Sequence, residues 1–289
     1  MKALVSLFLI GIPLSGLAQI PNVLVKLDFV IESRGDSNRT IVKAYDRSGK
    51  HSVVGLSFTI EPGFDLYISQ RFQRIENDPD KDRLDEYYME DRDYWRVGKQ
   101  YLPFGRNRIL NESVYAGRVN MTVGGMAIPL QLCAAQSRSG GQRGLVGRLG
   151  SKVGVSVASG SHFGQNGTSL TQIRTPEAST GKGSGYKFVA GVDAQASIGK
   201  WQLAAEHVAF RNPHRPEDTD LDVTDLEFSI RPSDFFSGSI GIAREWNSSR
   251  NFVRLGTEHK VANGVWISSF ARFADDFGPE LGFGVRLRP

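Results

Sequence analysis

The sequence has a single cysteine, Cys133, and no long apolar run beyond its first 18 residues. One cysteine excludes an intramolecular disulfide, and we interpret Cys133 as a small apolar group that is buried or faces lipid. The absence of a further run of about 20 apolar residues excludes a helical membrane protein. It does not exclude a transmembrane β-barrel, because the strands of a barrel are apolar on one face only.

An excess of charge of one sign is also missing. The 35 basic and 31 acidic residues give a formal net charge of +4. A nucleic-acid-binding protein needs a concentrated basic face, which so small an excess does not supply. We therefore expect no nucleic-acid partner.

The first 18 residues have the three parts of a secretory signal. Lys2 precedes the apolar run Ala3–Ile12, and small residues lead up to Ala18. A glycine and a proline interrupt the apolar stretch, which is too short for a spanning helix. We expect cleavage after Ala18 and export, leaving residues 19–289 as one domain with a net charge of +3, since Lys2 is removed from the +4.

Alternation of apolar and polar residues recurs along the rest of the chain and is typical of β-strands. In the first such segment Val25, Leu27 and Phe29 lie on one face, whereas Lys26 and Asp28 lie on the other. We predict strands at residues 23–33, 39–46, 53–60, 64–73, 84–90, 94–101, 112–123, 126–136, 145–159, 186–198, 201–211, 222–231, 236–246, 251–261, 265–274 and 279–288.

These segments predict an all-β fold, a closed antiparallel transmembrane β-barrel of about 16 strands, with a range of about 12 to 16. The segments 39–46 and 84–90 have the weakest pattern. Connections between strands are tight and rich in turn residues, except for residues 160–185, which we interpret as a mobile loop at one rim.

A soluble β-sandwich would also alternate, so a further feature has to decide between the two folds. Many polar faces mix glycine, serine and charges of both signs, as expected for a water-filled interior with limited room. Trp95, Trp201, Trp246 and Trp266 lie near the ends of segments, where the aromatic girdles of membrane barrels occur. Both features favour the barrel.

Charged side chains on the polar faces would determine which ions such a pore admits. Bases outnumber acids there, which predicts a mild anion preference. The alternative interpretation is that these charges form neutralised pairs that only stiffen the wall. The candidate pore-lining bases are Lys26, Arg71, Arg96, Arg118, Arg148, Lys152, Lys187, Arg231, Arg254, Lys260 and Arg286.

The segment VGKQYLPFG, residues 97–105, resembles a short signature of phosphate-selective-type porins and related siderophore-porin-like outer-membrane proteins. The residues that carry the resemblance are Gly98, Lys99, Gln100, Pro103, Phe104 and Gly105. The resemblance implies an outer-membrane channel, frequently a homotrimer, with inorganic anions or chelated metals as candidate cargo. The chain departs from this family by lacking a dense basic ladder, and its length predicts little material for an internal constricting loop.

The function predicted from these observations is an outer-membrane porin for passive diffusion of small polar or anionic solutes, in contact with membrane lipid. A non-conducting structural or adhesion barrel is the alternative, which a lumen blocked by paired charges or by the 160–185 loop would favour. A barrel hydrolase is third, and a histidine close to a serine on an adjacent strand would favour it.

No arrangement of side chains in the sequence supports an enzyme or a resident cofactor. Ser161 and His162 fall in the long loop, and Glu206 and His207 are neighbours that point to opposite faces of a strand. The acidic stretch 76–93 alternates aspartates as a calcium loop does, but Arg83 replaces the required glycine and Met89 the bidentate glutamate. We therefore predict no catalytic residue and no metal site.

Overall fold

The computed structural model describes residues 23–35, 40–43, 52–72, 83–124, 127–138, 141–164, 185–216, 218–275 and 277–287. These residues form one antiparallel sheet of 17 strands. The strands are β1 (Val23–Gly35), β2 (Thr40–Lys43), β3 (Val53–Glu61), β4 (Phe64–Arg71), β5 (Leu84–Asp91), β6 (Trp95–Tyr101), β7 (Ser113–Val123), β8 (Ile128–Gln136), β9 (Arg143–Gly150), β10 (Val153–Phe163), β11 (Tyr186–Ile198), β12 (Trp201–Pro213), β13 (Leu221–Ser233), β14 (Phe236–Glu245), β15 (Arg250–Ala262), β16 (Val265–Ala274) and β17 (Phe277–Leu287).

The sheet closes on itself through β1. Residues 29–35 of β1 pair with residues 281–287 of β17, and residues 23–28 pair with residues 53–58 of β3. Strand β2 pairs with residues 32–35 of β1, so β2 and β3 follow one another along the same edge of β1. The two strands therefore share one position, and the closed barrel has 16 positions.

The predicted fold class is confirmed, but the count of strands was reached through two differences that offset each other. The predicted strand 145–159 is two strands, β9 and β10, joined at Ser151 and Lys152. The hairpin was not predicted because the alternation of apolar and polar residues continues through its turn. Leu149 and Val155, which lie directly opposite each other, are both apolar and are an even number of residues apart. The second difference is the shared position of β2 and β3, predicted as two separate strands.

The outer face of the barrel is apolar and the inner face is polar. Side chains such as Val155, Ile242 and Phe283 are 50% to 71% exposed although they are hydrophobic, whereas Asp193 and Arg272 on the inner face are buried. This inversion is the arrangement expected where lipid covers the outside and water or paired charge fills the inside. No helix long and apolar enough to cross a membrane occurs among the residues that the structure describes.

The two rims of the barrel differ in the length of their connections. At the short-turn rim, two to four residues separate consecutive strands, as between β3 and β4 or between β9 and β10. At the long-loop rim, the connections reach from Ala274–Phe277 up to the segment between Phe163 and Tyr186. The predicted loop 160–185 begins later than expected, because β10 extends to Phe163, and its residues 165–184 lie outside the described residues.

Candidate functional site: a partly filled barrel lumen

Residues 102–112, here called the internal segment, leave β6 at the long-loop rim and fold into the barrel. Leu102, Phe104, Ile109 and Leu110 are fully buried. Inward-facing apolar side chains of the wall pack with them in one cluster, namely Val114, Ala116, Cys133, Ala135, Val146, Ala158, Phe163, Val189, Val208, Phe210, Val223, Ala243 and Phe252. The chain was predicted to have little material for an internal constricting loop. This prediction was wrong, because residues 102–112 enter the lumen and lie along its wall.

The predicted signature forms the entry to this internal segment. The backbone of Gly105 has φ of +51°, and a Cβ there would lie 2.2 Å from Oε1 of Glu206. The N–H of Gly105 donates to Oγ of Ser156 at 2.9 Å. Pro103 and Phe104 are buried beside it, and glycine at position 105 allows the chain to approach the β12 wall closely.

The strand half of the signature is also structural. Gly98 has φ of +132°, and a Cβ there would lie 2.2 Å from the carbonyl oxygen of Tyr87 on β5. Lys99 and Gln100 are fully buried. The side-chain amide of Gln100 donates to the carbonyl of Ala116 at 3.0 Å, which ties β6 to β7 below the point where the internal segment departs.

Ion pairs and hydrogen bonds hold the internal segment against strands β11, β12 and β13. Nε of Arg106 donates to Asp193 at 2.7 Å, and Nε of Arg108 donates to Asp225 at 3.0 Å. The backbone N–H groups of both arginines donate to Oε2 of Glu206, at 3.2 and 3.1 Å. Because all three carboxylates are buried and accept several hydrogen bonds, the internal segment is held at fixed points on β11, β12 and β13.

These two arginines are not among the pore-lining residues predicted from the sequence. The sequence does contain a sign of their role, because Arg106 and Arg108 follow the Pro-Phe-Gly turn directly, with one residue between them. Their partners, Asp193, Glu206 and Asp225, lie on the polar faces of three successive strands. Residues so far apart in the chain are brought together only by closure of the barrel.

The wall formed by β1, β3, β4, β5 and β6 carries a row of alternating cations and rings. Nζ of Lys26 lies 4.7 Å from the ring centre of Tyr67, whose ring lies 5.2 Å from that of Tyr88. The guanidinium of Arg96 lies 3.8 Å from the Tyr88 ring. A cleft of about 440 Å³ opens in front of this row, near the short-turn rim. We call it the Lys26 cleft.

Interior strand carboxylates whose side chains the structure describes have partners in direct contact, apart from Glu61 at the short-turn rim. Each has an arginine within 4 Å or, for Glu206, the backbone N–H groups of the internal segment. The pairs are Asp28 and Glu258 with Arg286, Asp65 with Arg92, Asp85 with Arg71, Glu86 and Glu90 with Arg96, Asp193 with Arg106 and Arg148, Asp225 and Glu227 with Arg108 and Arg254, Glu245 with Arg250, and Glu280 with Arg272.

The predicted pore-lining bases fall into three groups. Five are paired with carboxylates in the interior, namely Arg71, Arg96, Arg148, Arg254 and Arg286. Three lie at strand ends or in a turn and are exposed, namely Lys152, Lys187 and Arg231. Lys26, Arg118 and Lys260 face the interior and have no carboxylate within 4 Å in the described part of the chain. In Arg118, Nε is buried without a hydrogen-bond acceptor.

A serine and a histidine do meet at the long-loop rim, although Ser161 on β10 and His214 after β12 are not on adjacent strands, as the hydrolase alternative would have them. Oγ of Ser161 lies 3.4 Å from Nε2 of His214, and the same nitrogen accepts the backbone N–H of His162 at 3.2 Å. The two imidazole rings stack with their centres 4.0 Å apart. No described carboxylate contacts His214 to orient it as a base, so a nucleophilic triad is not assembled among the described residues.

The described residues contain no cluster of three or more histidine, cysteine or acidic side chains that could hold a metal ion. Of the acidic stretch 76–93, residues 76–82 lie outside the described part. The remainder includes β5, whose Asp85, Glu86 and Glu90 have arginine partners. These three carboxylates stabilise the barrel wall.

Comparison with known proteins gives a clear result for the fold alone. No protein-family model and no curated protein matches the sequence. Among solved structures, the chain is similar over 92% of its length to the trimer form of OmpT, an outer-membrane protein of Vibrio cholerae, with 11% identity, 99% of that chain covered and a TM-score of 0.58.

Two further structures match over the same 92% of the chain. The anion-selective porin from Comamonas acidovorans has 10% identity, with all of that chain covered and a TM-score of 0.59. OmpF of Salmonella typhi, in complex with daunomycin, has 9% identity, with 97% of that chain covered and a TM-score of 0.60. The protein therefore has a porin-like barrel fold.

Proposed function

We propose that this protein is an outer-membrane porin, a water-filled channel through which small polar solutes diffuse passively, with a mild preference for anions. The observation that carries the proposal is the position of three interior cations. Lys26, Arg118 and Lys260 have no described carboxylate within 4 Å, whereas the other interior arginines named above are held in ion pairs. A cation on a channel wall that is not held in an ion pair raises the local concentration of anions.

The open part of the lumen supports conduction. The internal segment packs against the wall between β7 and β15, whereas the Lys26 cleft lies on the wall of β1, β3, β4 and β5. A solute path along this second wall meets water-accessible polar groups rather than the apolar cluster. The resemblance of the signature to phosphate-selective-type porins adds inorganic anions and chelated metals as candidate cargo.

The proposal includes export, location and assembly. Residues 1–18 would direct the chain across the inner membrane, and the apolar outer face suits insertion into the bacterial outer membrane. A homotrimer is proposed by analogy with the trimer form of the Vibrio cholerae protein. We propose no enzymatic activity, because Ser161 and His214 lack an orienting carboxylate in the described structure.

A reversal-potential measurement tests this function. The purified protein is inserted into a planar bilayer that separates concentrated from dilute potassium chloride. We expect the sign of the zero-current potential to indicate chloride as the more permeant ion. A potential of the opposite sign would show that the paired carboxylates still dominate the path and would refute the anion preference.

A non-conducting structural barrel is the second candidate, and one observation favours it. The internal segment and its ion pairs with Asp193, Glu206 and Asp225 fill the lumen on one side. If the remaining side were closed as well, the same protein would insert into the bilayer and stay electrically silent. Bilayer insertion without current would thus favour this candidate.

A further inference from the structure

The Lys26 cleft combines groups that the proposed channel does not by itself require. Its walls come from β1, β3, β4, β5 and the turn after β5. On β1, Leu24 lies directly opposite Ser57 of β3, and Lys26 lies opposite Gly55. A Cβ at position 55 would lie 2.9 Å from the hydroxyl of Tyr67, so glycine at this position leaves room for the tyrosine beneath Lys26.

Most of the charge around the cleft is cancelled locally. Asp65 accepts hydrogen bonds from Nε of Arg92 and from the hydroxyl of Thr59. Glu90 accepts from Nη2 of Arg96 at 2.6 Å. The Lys26 ammonium, by contrast, has no carboxylate within 4 Å among the described residues. The cleft therefore offers one ammonium group that is not held in a direct ion pair, which a monoanion can contact.

An apolar surface lies next to this charge. Leu24 is 58% exposed and lines the cleft together with Lys26. The Ser57 hydroxyl lies opposite it as a hydrogen-bond donor. An inorganic anion gains nothing from contact with Leu24, and a phosphate dianion would need a second free cation. A small carboxylate with a hydrocarbon body can use all of these groups.

We propose that the Lys26 cleft binds small organic monocarboxylates, with the carboxylate on Nζ of Lys26 and the Ser57 hydroxyl and the hydrocarbon body against Leu24. This site rests on the proposed function, because it names the class of solute that the channel would pass. A volume of about 440 Å³ is ample for a molecule of the size of benzoate.

The test is calorimetric titration of the detergent-solubilised full-length barrel with benzoate, acetate, inorganic phosphate and chloride. We expect benzoate to bind more tightly than the other three. Lys26→Met should weaken benzoate binding about tenfold, as loss of a charged hydrogen bond does. Leu24→Gln should weaken benzoate binding and leave acetate binding unchanged, because only the hydrocarbon body contacts that side chain.

Lys260→Met is the matched control, since it removes an interior lysine on β15 that has no carboxylate within 4 Å among the described residues and lies three strand positions from β1. Benzoate affinity that falls equally in both lysine variants, or phosphate that binds as tightly as benzoate, would overturn the site. Single-channel recordings of the same preparations separate the two proposals. A conducting barrel without benzoate binding refutes the site alone, whereas a silent barrel with binding that depends on Lys26 supports the site and refutes the channel.

Discussion

Arg118 is an interior residue whose charge contributes to the attraction of anions into the lumen. It lies directly opposite Arg96 on the β6–β7 ladder, and Arg96 already has Glu86 and Glu90 as partners. No described carboxylate lies within 4 Å of Arg118, and its Nε is buried without an acceptor. A guanidinium in this position attracts anions because it is not held in a direct ion pair with a described carboxylate.

Replacing Arg118 with glutamine should therefore lower the chloride-to-potassium permeability ratio by about twofold, since one charge at a few ångströms in a watery pore contributes less than about 1 kcal/mol. The reversal potential in a salt gradient measures this change. Arg231→Gln removes the same charge from the exposed end of β13, where salt screens it, and should leave the ratio nearly unchanged. An equal effect of both variants would mean that net charge alone matters.

His214 is the second residue with an individual prediction. Partial burial, and then the proximity of His162 and Lys187, lower its pKa below the ordinary value. Because Nε2 of His214 accepts the N–H of His162, the neutral imidazole is the form that supports the contact. The stabilisation is present above the unfolded-state pKa of about 6.5 and is lost as the pH falls from there towards the lowered folded pKa.

Hydrogen exchange of the His162 amide, corrected for its intrinsic pH dependence, measures this loss. Protection should decrease as the pH is lowered below about 6.5. In a His214→Gln variant the amide oxygen can accept the same hydrogen bond at every pH, so the pH dependence should disappear. Protection that remains constant in the wild type down to pH 5 would contradict the account.

Among the structural elements, the internal segment is the one that converts a barrel into a restricted pore. Its turn depends on Gly105, whose position leaves no room for a Cβ beside Glu206. The Glu206 side chain cannot simply move away, because its Oε2 accepts the backbone N–H groups of Arg106 and Arg108. A methyl group at position 105 would therefore displace Glu206 and break the hydrogen bonds between its carboxylate and the internal segment.

Gly105→Ala should lower the free energy of unfolding by about 3 kcal/mol more than Gly199→Ala, which corresponds to the two hydrogen bonds to a charged group that are lost. Gly199 is the matched control because it has a similar φ of +57° but nothing within 4 Å of the added Cβ. Urea unfolding in lipid vesicles provides the energies. We also expect a larger and noisier single-channel current in the Gly105 variant only. Equal destabilisation by both would show that the contact with Glu206 is unimportant.

The strands could be predicted from the sequence because each has its own period-two pattern, as β11 shows with bounds identical to those predicted. The hairpin between β9 and β10 could not be predicted, since its tight turn keeps Leu149 and Val155 in phase. The internal segment was missed for a different reason. Leu102, Phe104 and Leu110 are apolar without alternation, and burial inside a barrel leaves no periodic signal.

At the scale of the whole molecule, closure joins the first strand to the last. Nε of Arg286 on β17 donates to Asp28 on β1 at 2.7 Å, and its Nη1 lies 3.4 Å from Glu258 on β15. The contact between Arg286 and Asp28 connects residues 258 positions apart in the chain. Arg286 was predicted from the sequence as a lumen residue, but its two partners depend on the register of the closed sheet.

Arg286→Leu should lower the free energy of unfolding by about 2 kcal/mol, because it leaves two partly buried carboxylates without their cation. Arg231→Leu is the control, since that exposed arginine has no described carboxylate partner and its loss should cost less than about 0.5 kcal/mol. Both values come from urea unfolding of the full-length protein. If the two variants were equally stable, the β1–β17 closure would not depend on this ion pair.

We propose above all that the closed barrel keeps an open path beside its internal segment. Single-channel recording of the wild-type protein in a planar bilayer measures whether this path exists. We expect discrete, stable conductance steps each time a barrel inserts. Protein that inserts into the bilayer and carries no current would show that the path is closed.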